Sequence, residues 1–272
     1  MVVAVKIQLP DVVNLFEQDS LVFRSVAGVI APLVKEIDIR QVTDQLIKLT
    51  MEELDFTIEA SNLRSFIDHE HQKGIRIPAL VGKLCSQKIL VTEWVEGVRL
   101  TEYIDENPEQ AKPILNRLLS SYIQQITQFC SYHADPHPGN FLIDNNENIA
   151  ILDYGALASL TNEEALQYGQ LLFGLMGISA ANLGELFSKA GFVCENQAVL
   201  EEVSEHFLED DRRDRSVSDR LTDVLELLRA NRVTMPDTFI AMARVIISVG
   251  GFMKQYDVDF EWMPTPSLNN NN

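Results

Sequence analysis

The segment His133-Ala134-Asp135-Pro136-His137-Pro138-Gly139-Asn140 is followed, after a short strand-like run, by Asp153-Tyr154-Gly155. Phosphoryl transfer passes through a loose, metaphosphate-like state, so a protein catalysing it mainly positions reactants and neutralises charge. That chemistry needs one carboxylate at the attacking hydroxyl and separate oxygen ligands for Mg²⁺. Asp135 lies five positions before Asn140 (140 − 135), and Asp153 follows, so both needs are met in one stretch of chain. A plainer reading exists, because Asp-Pro, His-Pro and Gly-Asn form turns and a hairpin loop alone would carry such a cluster. The flanks favour the chemical reading: Asn140 to Asp144 and Asn148 to Asp153 are short apolar runs joined at Asn145-Asn146-Glu147. They form a hairpin pattern that brings Asn140 and Asp153 toward one ion. His133 and His137 stand four apart, but Pro136 and Pro138 exclude the helix a zinc pair would use there.

Several elements must position these residues. Val2 to Leu9 is β-branched and apolar around one lysine and ends at Pro10-Asp11, which predicts a strand. Lys6 in a buried strand is costly unless its ammonium meets an anion; the alternative is an edge-strand lysine facing water. From Val42 to Ile67 apolar residues recur at helical spacing, with acids at Glu52, Glu53, Asp55 and Glu59, one of which can meet Lys6. Lys88 to Gly97 reads as a buried strand running into a Glu-x-Val segment. There the backbone at Glu93 and Val95 would bind an adenine edge as a kinase hinge does, or simply end a strand. Leu115 to Tyr132 reads as an amphipathic helix delivering the chain to His133. Helices are expected over Glu163–Met176, Leu183–Ala190, Ala198–Leu208, Arg220–Ala230 and Asp237–Met253, with Glu209–Asp214 an exposed loop.

Bulk properties narrow the class. The 272 residues, 46% hydrophobic, suffice for one large domain or two lobes. A formal charge of −18 argues against nucleic acid as a partner and disfavours electrostatic attachment to anionic lipid. Cys85, Cys130 and Cys194 are scattered and odd in number, which disfavours a disulfide framework or thiolate metal site. Ala165 to Gly184 carries no charge but contains glycines and glutamines, so a buried helix is expected rather than a membrane span. Phe239 to Met253 is interrupted by Arg244 and too short to span. With no apolar signal core before Asp11, a cytoplasmic location is expected, with peripheral contact to a membrane as the alternative.

In order, these pieces resemble the UbiB-like (AarF) family of atypical kinases linked to ubiquinone and related prenyl-lipid metabolism. The match runs from Val3 to about Leu160 and more loosely beyond. Asp135 and Asn140 stand at the kinase catalytic-loop interval, and Asp153-Tyr154-Gly155 stands where the family usually has Asp-Phe-Gly. The family's Glu-x-Asp signature matches Glu53-Leu54-Asp55, and the helix glutamate four residues further matches Glu59. The resemblance implies an α+β, protein-kinase-like two-lobed fold with a truncated small lobe and a mainly helical large lobe. Its divisions would be a partial small lobe with a helical insertion over residues 1–92, a large lobe over 93–264, and a disordered tail over 265–272. It also implies ATP or ADP and Mg²⁺ as cofactors, a Lys6–Glu59 ion pair on the phosphates, Asp135 as base, and Asn140 and Asp153 on the metal. Glu53, Asp55, Glu93 and Val95 would serve nucleotide binding, and lipid or prenyl-quinone pathway proteins would be partners. The family's Lys-x-Gly-Gln segment and alanine-rich loop have no counterpart before Lys6, so a fragment or a degenerate member is expected, a phosphotransferase or ATPase when complete, with an inactive short form as the alternative. The competing readings are an aminoglycoside- or choline-type small-molecule kinase and a non-catalytic pseudokinase module.

Overall fold

The computed structural model describes residues 2–34, 38–175, 182–194, 199–201, 204 and 216–260. Two compact units emerge. The first comprises residues 1–69, 77–95 and 153–155, the second residues 70–76, 96–152 and 156–272. The small unit thus ends at Val95 and borrows the three residues Asp153–Gly155 from far along the chain.

In the first unit, β1 (Val3–Ile7) pairs antiparallel with β3 (Ile89–Glu93), matching Lys6 to Leu90. The other edge of β3 is taken by the segment around Leu80, through Val81 N–H to Val91 C=O and Glu93 N–H to Ala79 C=O. Between β1 and β3 lie three helices: α1 (Val12–Ile30), α2 (Ile39–Glu53) and α3 (Phe56–Ile67). The single helical run expected over Val42–Ile67 is therefore two helices. Asp55 breaks it: its backbone is extended and its carboxylate accepts from Thr57 N–H, starting α3 as an N-cap. On α3 the buried positions are Phe56, Glu59, Ala60, Leu63 and Phe66, a helical stripe in which Glu59 occupies a core position. Phe56, Ala60 and Leu90 form the local core, with Leu80 and Cys85 against it.

The second unit holds a four-stranded sheet in the order β2 (Ile75–Arg76), β7 (Ile149–Ile151), β6 (Phe141–Asp144), β4 (Gly97–Arg99). A second ribbon pairs β5 (Ser131–His133) with β8 (Leu157–Ser159). The unit also holds helices α4 (Leu100–Glu106), α5 (Ala111–Gln124), α6 (Asn162–Leu175), α7 (Leu183–Lys189), α8 (Val217–Ala230) and α9 (Asp237–Gln255). Helix α5 is buried on nearly every side, from Ile114 through Ile123. The helix expected to run to Tyr132 instead loosens into a π-helical turn at Gln125–Phe129. It stops at Cys130, whose φ of 53° is left-handed, and Ser131–His133 leaves as a strand. The uncharged stretch read as one buried helix over Ala165–Gly184 is also divided, since Asn182 has extended backbone and caps a new helix, α7, that begins at Leu183. Among the described residues no helix is long and apolar enough to cross a membrane. Most of Ala198–Leu208, Glu209–Asp214 and residues 265–272 lie outside the described residues.

The β6–β7 hairpin forms as read, with Phe141 opposite Ile151 and the turn at residues 145–147. Its tightness comes from Asp144. The carboxylate accepts from Asn146 N–H and Asn148 N–H at 2.9 Å each and from Arg76 Nη1 at 2.8 Å, while 4% of the residue is exposed. Burial alone would raise its pKa. The Asn148 backbone, Arg76 and the remaining donors outweigh that and hold it at about 2, against 3.8 ordinarily. A depressed carboxyl stabilises the fold above its ordinary pKa, and the contribution is lost as pH falls through the folded value. Asp144→Asn should therefore cost about 2 kcal/mol near neutral pH, a gap narrowing as pH drops from 4 toward 2. Urea midpoints of parent and variant across that range check it, and a pH-independent gap would contradict it.

Candidate active site

Lys6 leaves β1 on the face of Leu90 and lies 5.2 Å from the Phe56 ring centroid, so the strand register aims its side chain at α3. Its Nζ donates to Glu59 Oε2 at 2.8 Å and stands 3.6 Å from Asp153 Oδ2. Glu59 is 6% exposed, a position a carboxylate keeps only when its charge is compensated. Lys6 provides that compensation from one side. From the other, Tyr154 N–H approaches Glu59 Oε1 at 3.5 Å. Partial burial opposes the Lys6 charge, but Glu59 and then Asp153 more than offset this, leaving the lysine pKa above its ordinary value. A raised lysine pKa keeps its stabilising contribution at all lower pH and loses it only as pH climbs through that alkaline value. The lysine thus stays charged throughout the physiological range.

The Asp153–Gly155 segment is held on α3 by two side chains one turn apart. Glu59 meets the Tyr154 N–H, and Asn62 Nδ2 donates to the Tyr154 carbonyl at 2.9 Å. Tyr154 itself is buried and its ring packs 5.4 Å from that of Phe66. The aspartate is then aimed by its own backbone: Gly155 N–H donates to Asp153 Oδ1 at 2.8 Å. A Cβ at residue 155 would sit 3.1 Å from that oxygen, so a side chain there would press on the Asp153 carboxylate and shift it by a few tenths of an ångström.

In the second unit β5 delivers the chain to Asp135. His133 is buried beneath, with Tyr122 Oη 3.5 Å from its Nδ1. Burial, with the nearby Asp135 charge, pushes the Tyr122 hydroxyl far above its ordinary pKa, so it stays protonated. Asn140 closes the loop. Its Nδ2 donates to Asp135 Oδ2 at 2.9 Å and to the Asp135 carbonyl at 3.2 Å, while its own carbonyl accepts from Leu152 N–H. His137 Nδ1 accepts from Gly139 N–H at 3.1 Å, a turn-closing role.

The sequence-derived residues therefore fall into two groups. Lys6, Glu59 and Asp153 meet in one unit, and Asp135 and Asn140 meet in the other. Asp55 caps α3 and accepts from Gln87, and Glu53 is exposed at the end of α2. At the strand end the Glu93 N–H is committed to Ala79, whereas the Val95 N–H meets no acceptor among the described residues. Asn62 was missed by the sequence reading; its signal is its place one turn beyond Glu59, beside the stripe that faces the core.

Taken unit by unit, the oxygen donors are of the kind Mg²⁺ takes: in the first, the Asp153 carboxylate on a side chain 42% exposed, and in the second, the amide oxygen of Asn140, whose NH₂ is on Asp135. Hard oxygens in small number, completed by phosphate and water, are what Mg²⁺ takes. Among the described residues no cluster of three or more His, Cys, Asp or Glu forms an all-protein metal cage.

Residues 1–186 match the model of the ABC1 atypical kinase-like domain. The chain is 28% identical over 208 residues to protein activity of bc1 complex kinase 1, chloroplastic, of Arabidopsis thaliana, covering 72% of this chain and 30% of that protein. It is 29% identical over 183 residues to AarF domain-containing kinase 1 of Drosophila melanogaster, covering 65% of this chain and 35% of that protein. Among solved structures it resembles Rv3197 of Mycobacterium tuberculosis, determined in complex with erythromycin. That likeness has a TM-score of 0.72 and 26% identity over 94% of this chain and 68% of that one. The fold is thus α+β and kinase-like, and the chain spans about a third of the length of the two curated relatives.

Proposed function

This chain belongs to the ABC1 atypical kinase-like family, and we propose that it is an ATP-binding, Mg²⁺-dependent domain carrying out phosphoryl transfer or ATP hydrolysis. The observation that carries this reading is the Lys6–Glu59 pair with Asp153 beside it. A half-exposed ammonium, already fixed by a buried carboxylate, is ready to meet phosphate oxygens without first being ordered. Asp135 takes the proton of the attacking hydroxyl or water, and Asn140 holds that carboxylate in place through its amide. The Val95 N–H gives an adenine edge a donor at the end of β3. Mg²⁺, with Asp153 as the ligand this group offers, would neutralise charge on the phosphates. Family membership favours this reading over an aminoglycoside- or choline-type kinase. On the same ground the role extends to ubiquinone or another prenyl-lipid pathway.

The test is release or transfer of label from γ-labelled ATP by the chain, with Mg²⁺ and with excess chelator. Turnover that requires Mg²⁺ and is lost in Asp153→Asn is the expected result. Equal label release in chelator, or in Asp153→Asn, would overturn the proposal.

A further inference from the structure

Helix α5 does not end in the ordinary way before the loop that carries Asp135. Its last turn widens into a π turn at Gln125–Phe129, a local expansion that costs regular hydrogen bonding and recurs where a side chain must be re-aimed. Gln125 is the first residue of that turn and is completely buried. Its Nε2 donates to Ser121 Oγ at 3.1 Å, and its Oε1 accepts from His133 N–H at 3.0 Å. The amide orientation is fixed chemically, because a backbone N–H can only donate and so requires the oxygen.

The location of that bond gives it meaning. In the β5–β8 ribbon, Ala134 N–H bonds to Ala156 C=O and Leu160 N–H to Cys130 C=O. Antiparallel alternation then turns the His133 N–H away from β8, toward a side with no neighbouring strand in that ribbon. Gln125 supplies the acceptor that a third strand would have provided. It acts two residues before Asp135, on the last strand residue ahead of the loop. Asn140 fixes the Asp135 carboxylate from the far side, through Oδ2.

We propose that Gln125 is a positioning residue for Asp135: its Ser121-anchored amide holds the His133 N–H and so fixes where the loop presents its carboxylate. This rests on the reading of Asp135 as the base. A displacement of about 1 Å at a reacting group costs up to about 100-fold in rate.

The experiment measures kcat and KM for MgATP in the full chain carrying Gln125→Met, Gln125→Glu, Ser121→Ala or, for reference, Asp135→Asn, all per folded molecule. Methionine keeps the length but removes both amide atoms. Glutamate keeps an acceptor oxygen, toward which the Ser121 hydroxyl can turn. Gln125→Met should lower kcat at least about ten-fold with KM within about two-fold, and amide exchange at His133 should accelerate. Gln125→Glu should recover most of the rate. Parent kcat in folded Gln125→Met would overturn the proposal whatever Asp135→Asn does. If Gln125→Met does not fold, Ser121→Ala takes its place, with a several-fold loss of kcat expected and an unchanged kcat overturning the idea. Parent turnover in Asp135→Asn would instead overturn the base assignment, and the Gln125 role with it, through a variant scored by itself.

Discussion

Asp135→Asn is expected to leave MgATP affinity within about three-fold of the parent while lowering turnover on the order of 10²- to 10⁴-fold, the range a positioned base contributes. The substitution changes little besides the acid–base group. Asn140 Nδ2 still finds an oxygen on residue 135 and keeps its second bond to the main-chain carbonyl, so the loop should hold its shape. Its amide cannot take a proton from a hydroxyl. Parallel measurement of binding by calorimetry and turnover by phosphate release separates the two effects. Loss of binding together with turnover would make residue 135 part of the nucleotide cradle, and unchanged turnover would make it a turn residue.

Lys6→Met should abolish measurable turnover, a loss on the order of 10²-fold or more for a phosphate-directed charge removed from the site. It should also destabilise the first unit, for a reason separate from catalysis. Glu59 would remain 6% exposed and, among the described residues, be left with the 3.5 Å approach of Tyr154 N–H to compensate it. A buried carboxylate stripped of its cation is costly. Neutralising it should therefore help: Lys6→Met combined with Glu59→Gln is expected to melt above Lys6→Met alone, while turnover stays lost. If the double variant melted below the single one, the Lys6–Glu59 pair would not be the interaction that makes Glu59 tolerable in the core.

Much of the site could be read directly from residue types and intervals. Asp135, Asn140 and Asp153 are polar groups in short apolar surroundings, and the β6–β7 hairpin that separates the last two is local in sequence. Lys6 and Glu59 needed a tertiary fact, because they are 53 positions apart and meet only through the β1–β3 register and the packing of α3. The apolar run over Val42–Ile67 hid its own break: Leu46, Leu49 and Ile58 are substantially exposed, and the buried stripe starts afresh at Phe56. What restarts it is one residue, Asp55, whose capping bond outweighs the helical propensity on either side. The end of α5 was harder still. Nothing in Gln125–Phe129 forbids an α-helix, so the π turn and the strand after it come from partners distant in sequence, Leu157–Ser159 among them. Helix α1 falls within the helical insertion that the resemblance implied, and much of its apolar pattern, including Leu15, Val22, Val26 and Val29, is exposed.

Turnover of any kind requires first that nucleotide bind through Mg²⁺ and the Lys6–Glu59–Asp153 group. Calorimetric titration of ATP into the parent and into Asp153→Asn, each with Mg²⁺ and with chelator, tests it most directly. Saturable binding is expected for the parent with Mg²⁺, weakened at least about ten-fold by chelator and by Asp153→Asn to a similar extent. The two losses should not add, because both remove the same ion. Equal affinity in all four titrations, or no saturable binding in any of them, would contradict the account.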